Sequence, residues 1–151
     1  MWGLGGRQLV EVVVCCGWFC SSLLTAQDLS VIGGTPIQRQ LSACIEHVVA
    51  RDLDRLPGND HTMTIVILEH TKFLQVKSSF GADRTRLAFS NFAIRRMYLS
   101  SKVFQNLDSV FRCIPHELGH FVTHSTYEGN AEFAAEAIRK RAREACTVPF
   151  E

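Results

Sequence analysis

The segment that most constrains this chain is His116-Glu117-Leu118-Gly119-His120. Its two histidines stand four residues apart inside a stripe of apolar residues at helical spacing, Val110, Phe111, Ile114, Leu118, Phe121 and Val122. A helix here sets both imidazoles on one face, one turn apart, and that face must pack against something that tolerates polar groups. Pro115 either kinks this helix or sits in its first turn, because a proline removes a backbone donor and crowds the preceding turn.

Two imidazoles in this arrangement can reach one zinc ion at about 2.0–2.1 Å. In the pattern H-E-x-x-H, Glu117 lies beside such an ion without ligating it, where its carboxylate can take a proton from a water that the metal polarises. Gly119 leaves room for close approach of a neighbouring strand or substrate. The site needs a third ligand, and His124, Glu128, Glu132 and Glu136 are the candidates. His124 continues the four-residue series, but a further turn of about 5.4 Å carries it past the metal and makes it a supporting or surface residue. The chain turns near 125–129, so residues one or two turns into a returning helix come level with the histidines. Glu132 fits there as the ligand, and Glu136, one turn on, fits as the acceptor for the second nitrogen of a ligand histidine. The plainer reading of these glutamates is a solvated helix face.

The rest of the chain reads as α+β. Leu41, Cys44, Ile45, Val48, Val49 and Leu53 recur at helical spacing after Pro36, and the Pro57-Gly58-Asn59-Asp60 cluster ends that helix. Met63 to Leu68 is a continuous, largely β-branched run, as in a strand buried on both faces. Between Leu87 and Leu99 a second extended region is expected, with Met97-Tyr98-Leu99 as its strand. Arg95, Arg96 and the preceding Ser90-Asn91 suggest an edge strand or a hairpin. A last helix starts between Ser125 and Asn130 and is clear from Ala131 to Ala145. With 151 residues this amounts to one domain. Sixteen basic residues against fifteen acidic leave no charge excess to drive binding to nucleic acid or an anionic membrane.

Residues 1–26 have the layout of a secretory signal: Arg7, an apolar run of 13 residues from Val12 to Leu24, and Ala26 as a small residue for cleavage. A helix crossing a bilayer needs about 20 apolar residues. Cleavage and export, with no stable membrane insertion afterwards, is therefore the expectation, and a membrane anchor through residues 9–26 is the alternative. The destination is then secreted, periplasmic or otherwise extracytoplasmic. Cleavage also removes Cys15, Cys16 and Cys20, leaving Cys44, Cys113 and Cys146 in residues 27–151. At most one internal disulfide follows, and an antiparallel helix pair makes Cys113 with Cys146 the expected pairing, with buried free thiols as the alternative.

Taken with the motif, the sequence resembles the gluzincins, the thermolysin-like zinc peptidases in which H-E-x-x-H precedes a helix with a Glu ligand. Glu132-Phe133-Ala134-Ala135-Glu136-Ala137 looks like the E-x-x-A-[D/N]-x-x-A signature of the heat-shock and prenyl-protein peptidases and of ImmA/IrrE-type domains. The resemblance implies Glu132 as the ligand, with Glu136 where those families carry Asp or Asn. Glu128-Gly129-Asn130-Ala131-Glu132 reads onto the pattern one turn earlier and keeps Glu128 as the alternative. Asn91-Phe92-Ala93 followed by Met97-Tyr98-Leu99 is similar to the N-A-F-A segment and the strand above the active site in the heat-shock group. It implies a peptide or protein substrate held in extended form along a strand. The interval from His120 to Glu132 is shorter than usual, so minimal gluzincins are the nearest architectural comparison. They imply a zincin-like fold: a small mixed sheet packed on an active-site helix and a following Glu-bearing helix. Tyr127, His124 and His70 are then the candidates for stabilising an oxyanion.

Three functions compete at this point. The leading expectation is an exported peptidase with one Zn2+ per chain, ligated by His116, His120 and Glu132, and with Glu117 as general base. The second is a non-catalytic zincin-fold module in which zinc holds a helical hairpin and the cleft binds a partner. In the third the histidine pattern is accidental and no metal binds.

Overall fold

Thr35-Pro36-Ile37-Gln38 starts the first helix by local chemistry. The Thr35 hydroxyl accepts from the Gln38 N–H at 3.3 Å, and the Gln38 side-chain oxygen accepts from the Thr35 N–H at 3.0 Å. Pro36 occupies the first turn, where no backbone donor is needed. The helix, α1, spans Pro36–Leu53, and its Leu41, Ile45 and Val49 are fully buried, as the periodicity predicts. The computed structural model describes residues 31–53, 63–81 and 85–146. The expected signal at 1–26 and the Pro57-Gly58-Asn59-Asp60 cluster lie outside the described residues.

The chain is α+β. A short strand, β1 (Val31–Gly33), precedes α1; then come β2 (Thr64–Leu68), α2 (His70–Ser79), β3 (Ala88–Asn91) and β4 (Arg96–Ser100). A 3-10 segment, Ser101–Gln105, leads into α3 (Leu107–Thr123), and α4 (Glu128–Ala145) returns beside it. The four strands lie in the order β1-β2-β4-β3. β1 and β4 run parallel to β2, and β3 is antiparallel to β4 at one edge. No helix among the described residues is long and apolar enough to cross a membrane.

Strand alternation divides the interior in two. Ile65, Ile67, Met97 and Leu99 face one way and join α1 and α3 in the main core, where Val110, Ile114 and Leu118 are also fully buried. Phe89 and Tyr98 face the other way and meet Phe73 of α2 in a smaller aromatic cluster, with Val66, Leu68 and Val76 partly covered around it. The run from Met63 to Leu68 is thus covered on both faces, but unequally. α2 escaped the sequence reading because its apolar stripe is short, being carried mainly by Phe73 and Val76. The Glu69 carboxylate begins α2 by accepting the Thr71 and Lys72 N–H groups, and the Thr71 bond above all holds that carboxyl below its ordinary range.

The hairpin expected between Leu87 and Leu99 is present, but the edge is β3 and not the Met97-Tyr98-Leu99 strand. Met97 and Leu99 are fully buried between β2 and β3. The two arginines sit at the hairpin end instead: Arg95 closes the turn in a left-handed conformation (φ 50°), and the Asn91 side chain accepts the Ala93 N–H at 3.1 Å.

The disulfide also differs from expectation. Cys146, at the end of α4, is bonded to Cys44 of α1, with Cα atoms 5.9 Å apart, and Cys113 is a free, half-buried thiol. The expected partners lie on adjacent helices, but α1 packs against the carboxyl end of α4 and brings Cys44 there instead. The bond joins residues 102 apart in sequence, and a disulfide typically stabilises a fold by about 2–4 kcal/mol. Peptide mapping of the oxidised protein is expected to link Cys44 to Cys146. The double variant Cys44→Ala/Cys146→Ala should unfold at a clearly lower urea concentration, whereas a Cys113–Cys146 link would contradict this packing.

Candidate metal centre

α3 is capped by Asn106, whose side chain accepts the Ser109 N–H at 2.8 Å, and it carries Pro115 in its interior. A proline there leaves the carbonyl four residues back without its helical donor. That carbonyl belongs to Phe111, and Arg139 of α4 donates Nε–H to it at 3.1 Å. The same guanidinium holds Glu132 Oε1 at 3.0 Å and pairs with Glu136. Helix, proline and arginine therefore act together: the residue before His116 creates a vacancy, and the group that fills it also fixes a carboxylate facing His116.

At its far end α3 stops on His124, which takes a left-handed conformation (φ 48°). Three residues, Ser125 to Tyr127, then suffice to start α4 at Glu128. The helices meet backbone to backbone at Gly119, where a Cβ would stand 2.2 Å from the Ala131 carbonyl oxygen. Gly119 thus does serve a close approach, to the returning helix and not to a strand or substrate.

This tight return changes the assignment of the glutamates. Glu128, in the first turn of α4, places Oε2 3.0 Å from His116 Nε2 and Oε1 3.8 Å from His120 Nε2. Glu132 lies one turn further on and reaches the opposite edge of the His116 ring, with Oε2 2.9 Å from Nδ1. The expected ligand, Glu132, therefore occupies the orienting place that had been expected for Glu136. Glu136 is largely exposed and pairs with Arg139. Glu128, the alternative, completes the group His116, His120 and Glu128, whose donor atoms all lie within 4.8 Å of one another.

Hydrogen bonding tests whether this group suits a cation. His120 Nδ1 lies 2.8 Å from the Ser125 carbonyl, which can only accept, so Nδ1 carries a proton and Nε2 is the ring nitrogen left to face Glu128. His116 has a carboxylate at each nitrogen, yet a neutral imidazole has one N–H to give. A second ring proton or a cation between Nε2 and Glu128 satisfies these facings, and two imidazoles with one carboxylate are a suitable donor set for zinc. Glu132 and Ser125 would orient the two rings from behind. Burial acts to raise the pKa of Glu128, but the Arg86 hydrogen bond at 2.9 Å, its charge and the two imidazoles outweigh it and hold the carboxyl below its ordinary range. Glu132 is held low chiefly by His116, then by Arg139.

Glu117 lines the same cleft as this trio. It is 4% exposed, and Ser90 of β3 donates to its Oε2 at 2.7 Å. Strand parity explains the contact: Ser90 pairs with Met97 in register and so faces α3, while Phe89 and Asn91 face away. On the β3 side Phe92 packs edge-on to the His120 ring, with centroids 6.2 Å apart.

Of the other candidates, His124 is an exposed helix cap, and Tyr127 is the exposed residue that precedes α4. His70 pairs with Ser100 through Nδ1 at 2.8 Å. None of these three lines the cleft, whereas Arg86 does. Arg86, Ser90, Ser125 and Arg139 were not foreseen. Only Arg139 had a signal in the sequence, since Pro115 leaves one carbonyl in need of a donor.

No protein-family model matches this chain, no curated protein matches it, and no solved structure matches it.

Competition with a fluorescent chelator should rank the variants. Glu132→Ala is expected to weaken zinc binding about 10–100-fold, as loss of an orienting partner does. Glu128→Ala should weaken it further, and the opposite order would return the ligand role to Glu132.

Proposed function

We propose that this chain is a zinc-dependent peptidase of zincin-like fold and gluzincin type, hydrolysing peptide bonds with Glu117 as general base. The observation that carries the reading is the position of Glu117, a buried carboxylate held by Ser90 at the mouth of a cleft beside the His116, His120 and Glu128 donors. Zinc, when bound, supplies Lewis-acid polarisation of a water and of the scissile carbonyl.

The chain's own groups do the remainder. His116, His120 and Glu128 hold the ion, while Glu132 and the Ser125 carbonyl keep the two rings from turning. Ser90 occupies Oε2 of Glu117, so the proton of the attacking water is taken at Oε1 and passed on to the leaving amine. β3 is the edge of the sheet that carries Ser90, and a substrate backbone in extended form adds to it beside Glu117. The cleft there is lined by Phe89, Phe92 and Thr126 as well as the site residues.

A non-catalytic module would close its metal with a fourth protein ligand, and the cluster among the described residues has three donors, which favours the catalytic reading. The Cys44–Cys146 bond supports export to an oxidising compartment. A peptide-library screen of the zinc-loaded protein should yield cleavage that Glu117→Gln lowers about 10²–10⁴-fold with zinc content unchanged. Undiminished turnover in that variant would remove Glu117 from the chemistry. Bound zinc with no cleavage by the wild type would favour the binding module.

A further inference from the structure

α3 carries its cleft-facing polar groups in file. Arg112, His116 and His120 stand four residues apart, so each lies one turn, about 5.4 Å, from the next. The cleft beside them differs in chemistry from end to end. Near His120 it is bounded by Phe89, Phe92 and Thr126. Beyond His116 it continues as a cavity of about 340 Å³ bounded by Arg112, Cys113 and Thr85 at its far end and by Arg86, Glu117 and Glu128 at the end next to the histidines.

Arg112 stands apart from the neighbouring arginines. Arg86 is paired with Glu128, Arg139 with Glu132 and Glu136, and Arg143 with Asp108. Arg112 is exposed and has no acidic partner among the described residues; its polar neighbour is the Cys113 thiol. Burial, against the pull of Arg112, pushes that thiol above its ordinary range, so the group hydrogen-bonded to the guanidinium is neutral.

We propose that Arg112 is the recognition element of a carboxylate subsite, and that the substrate is a peptide with a carboxylate on the Arg112 side of the cut bond and an apolar side chain on the Phe92 side. An extended peptide advances about 3.3–3.6 Å per residue, so a carboxylate one or two residues from that bond comes level with Arg112. Either an Asp or Glu side chain or a free carboxyl terminus provides this group, and both suit the planar fork of a guanidinium. Cleavage rests on the peptidase reading, but carboxylate binding does not.

The test is fluorescence anisotropy of labelled peptides on the full zinc-loaded Glu117→Gln chain, alongside cleavage by the wild type. One peptide pair differs by Glu against Gln, and a second by a free against an amidated carboxyl terminus; the pair that discriminates identifies the source of the carboxylate. The acidic member of one pair is expected to bind about tenfold tighter, as a charge-assisted contact warrants. Added Arg112→Gln should bring that ratio near one without lowering zinc content. Equal binding of both members, binding of neither, or a ratio that survives Arg112→Gln overturns the subsite. Selective binding with no cleavage by the wild type overturns the peptidase reading and keeps the subsite; cleavage indifferent to the carboxylate does the reverse.

Discussion

Glu128 and Glu132 reach opposite edges of one imidazole because α3 and α4 touch backbone to backbone at Gly119 and Ala131. A side chain at residue 119 would push α4 outward, and both carboxylates would withdraw from His116 together. The contact between the helices also places Arg139 over the Phe111 carbonyl that Pro115 leaves without a donor. One guanidinium then satisfies a buried acceptor and fixes Glu132, so the integrity of α3 and the orientation of His116 depend on the same residue. The histidine nearest the proline is thus the one most firmly buttressed.

The sheet contributes through register. Ser90 meets Glu117 because β3 pairs with β4 so that Ser90 lies opposite Met97, on the face where α3 packs. A slip of one residue would turn Ser90 away and present Phe89 or Asn91 to a buried carboxylate. The aromatic cluster of Phe73, Phe89 and Tyr98 on the opposite face guards against that slip, since Phe89 must stay stacked on Tyr98, with ring centroids 4.9 Å apart. A cluster on the opposite face of the sheet therefore holds the side chain that positions Glu117.

What the residues alone could indicate follows from which forces are local. The helical stripe around His116 and His120, the stripe of α1 and the β-branched run of β2 are all repeats within one element, and each element forms where its repeat places it. The choice between Glu128 and Glu132 was of another kind. It depended on a three-residue return set by a left-handed His124, and hydrophobic periodicity carries no information about that backbone. Pairing of Cys146 with Cys44 depended likewise on how α1 crosses the end of α4. Ser90 and Arg86 come from a short edge strand and its approach, where few residues leave little pattern to read.

The central claim is that His116, His120 and Glu128 hold one zinc ion through the nitrogens turned away from Ser125 and Glu132. Anomalous diffraction at the zinc edge from crystals of the zinc-loaded protein tests it directly. The account predicts one strong peak within about 2.0–2.2 Å of His116 Nε2, His120 Nε2 and a Glu128 oxygen, with Glu132 still on His116 Nδ1. A peak bonded to Glu132, or no peak in this cleft, would contradict it.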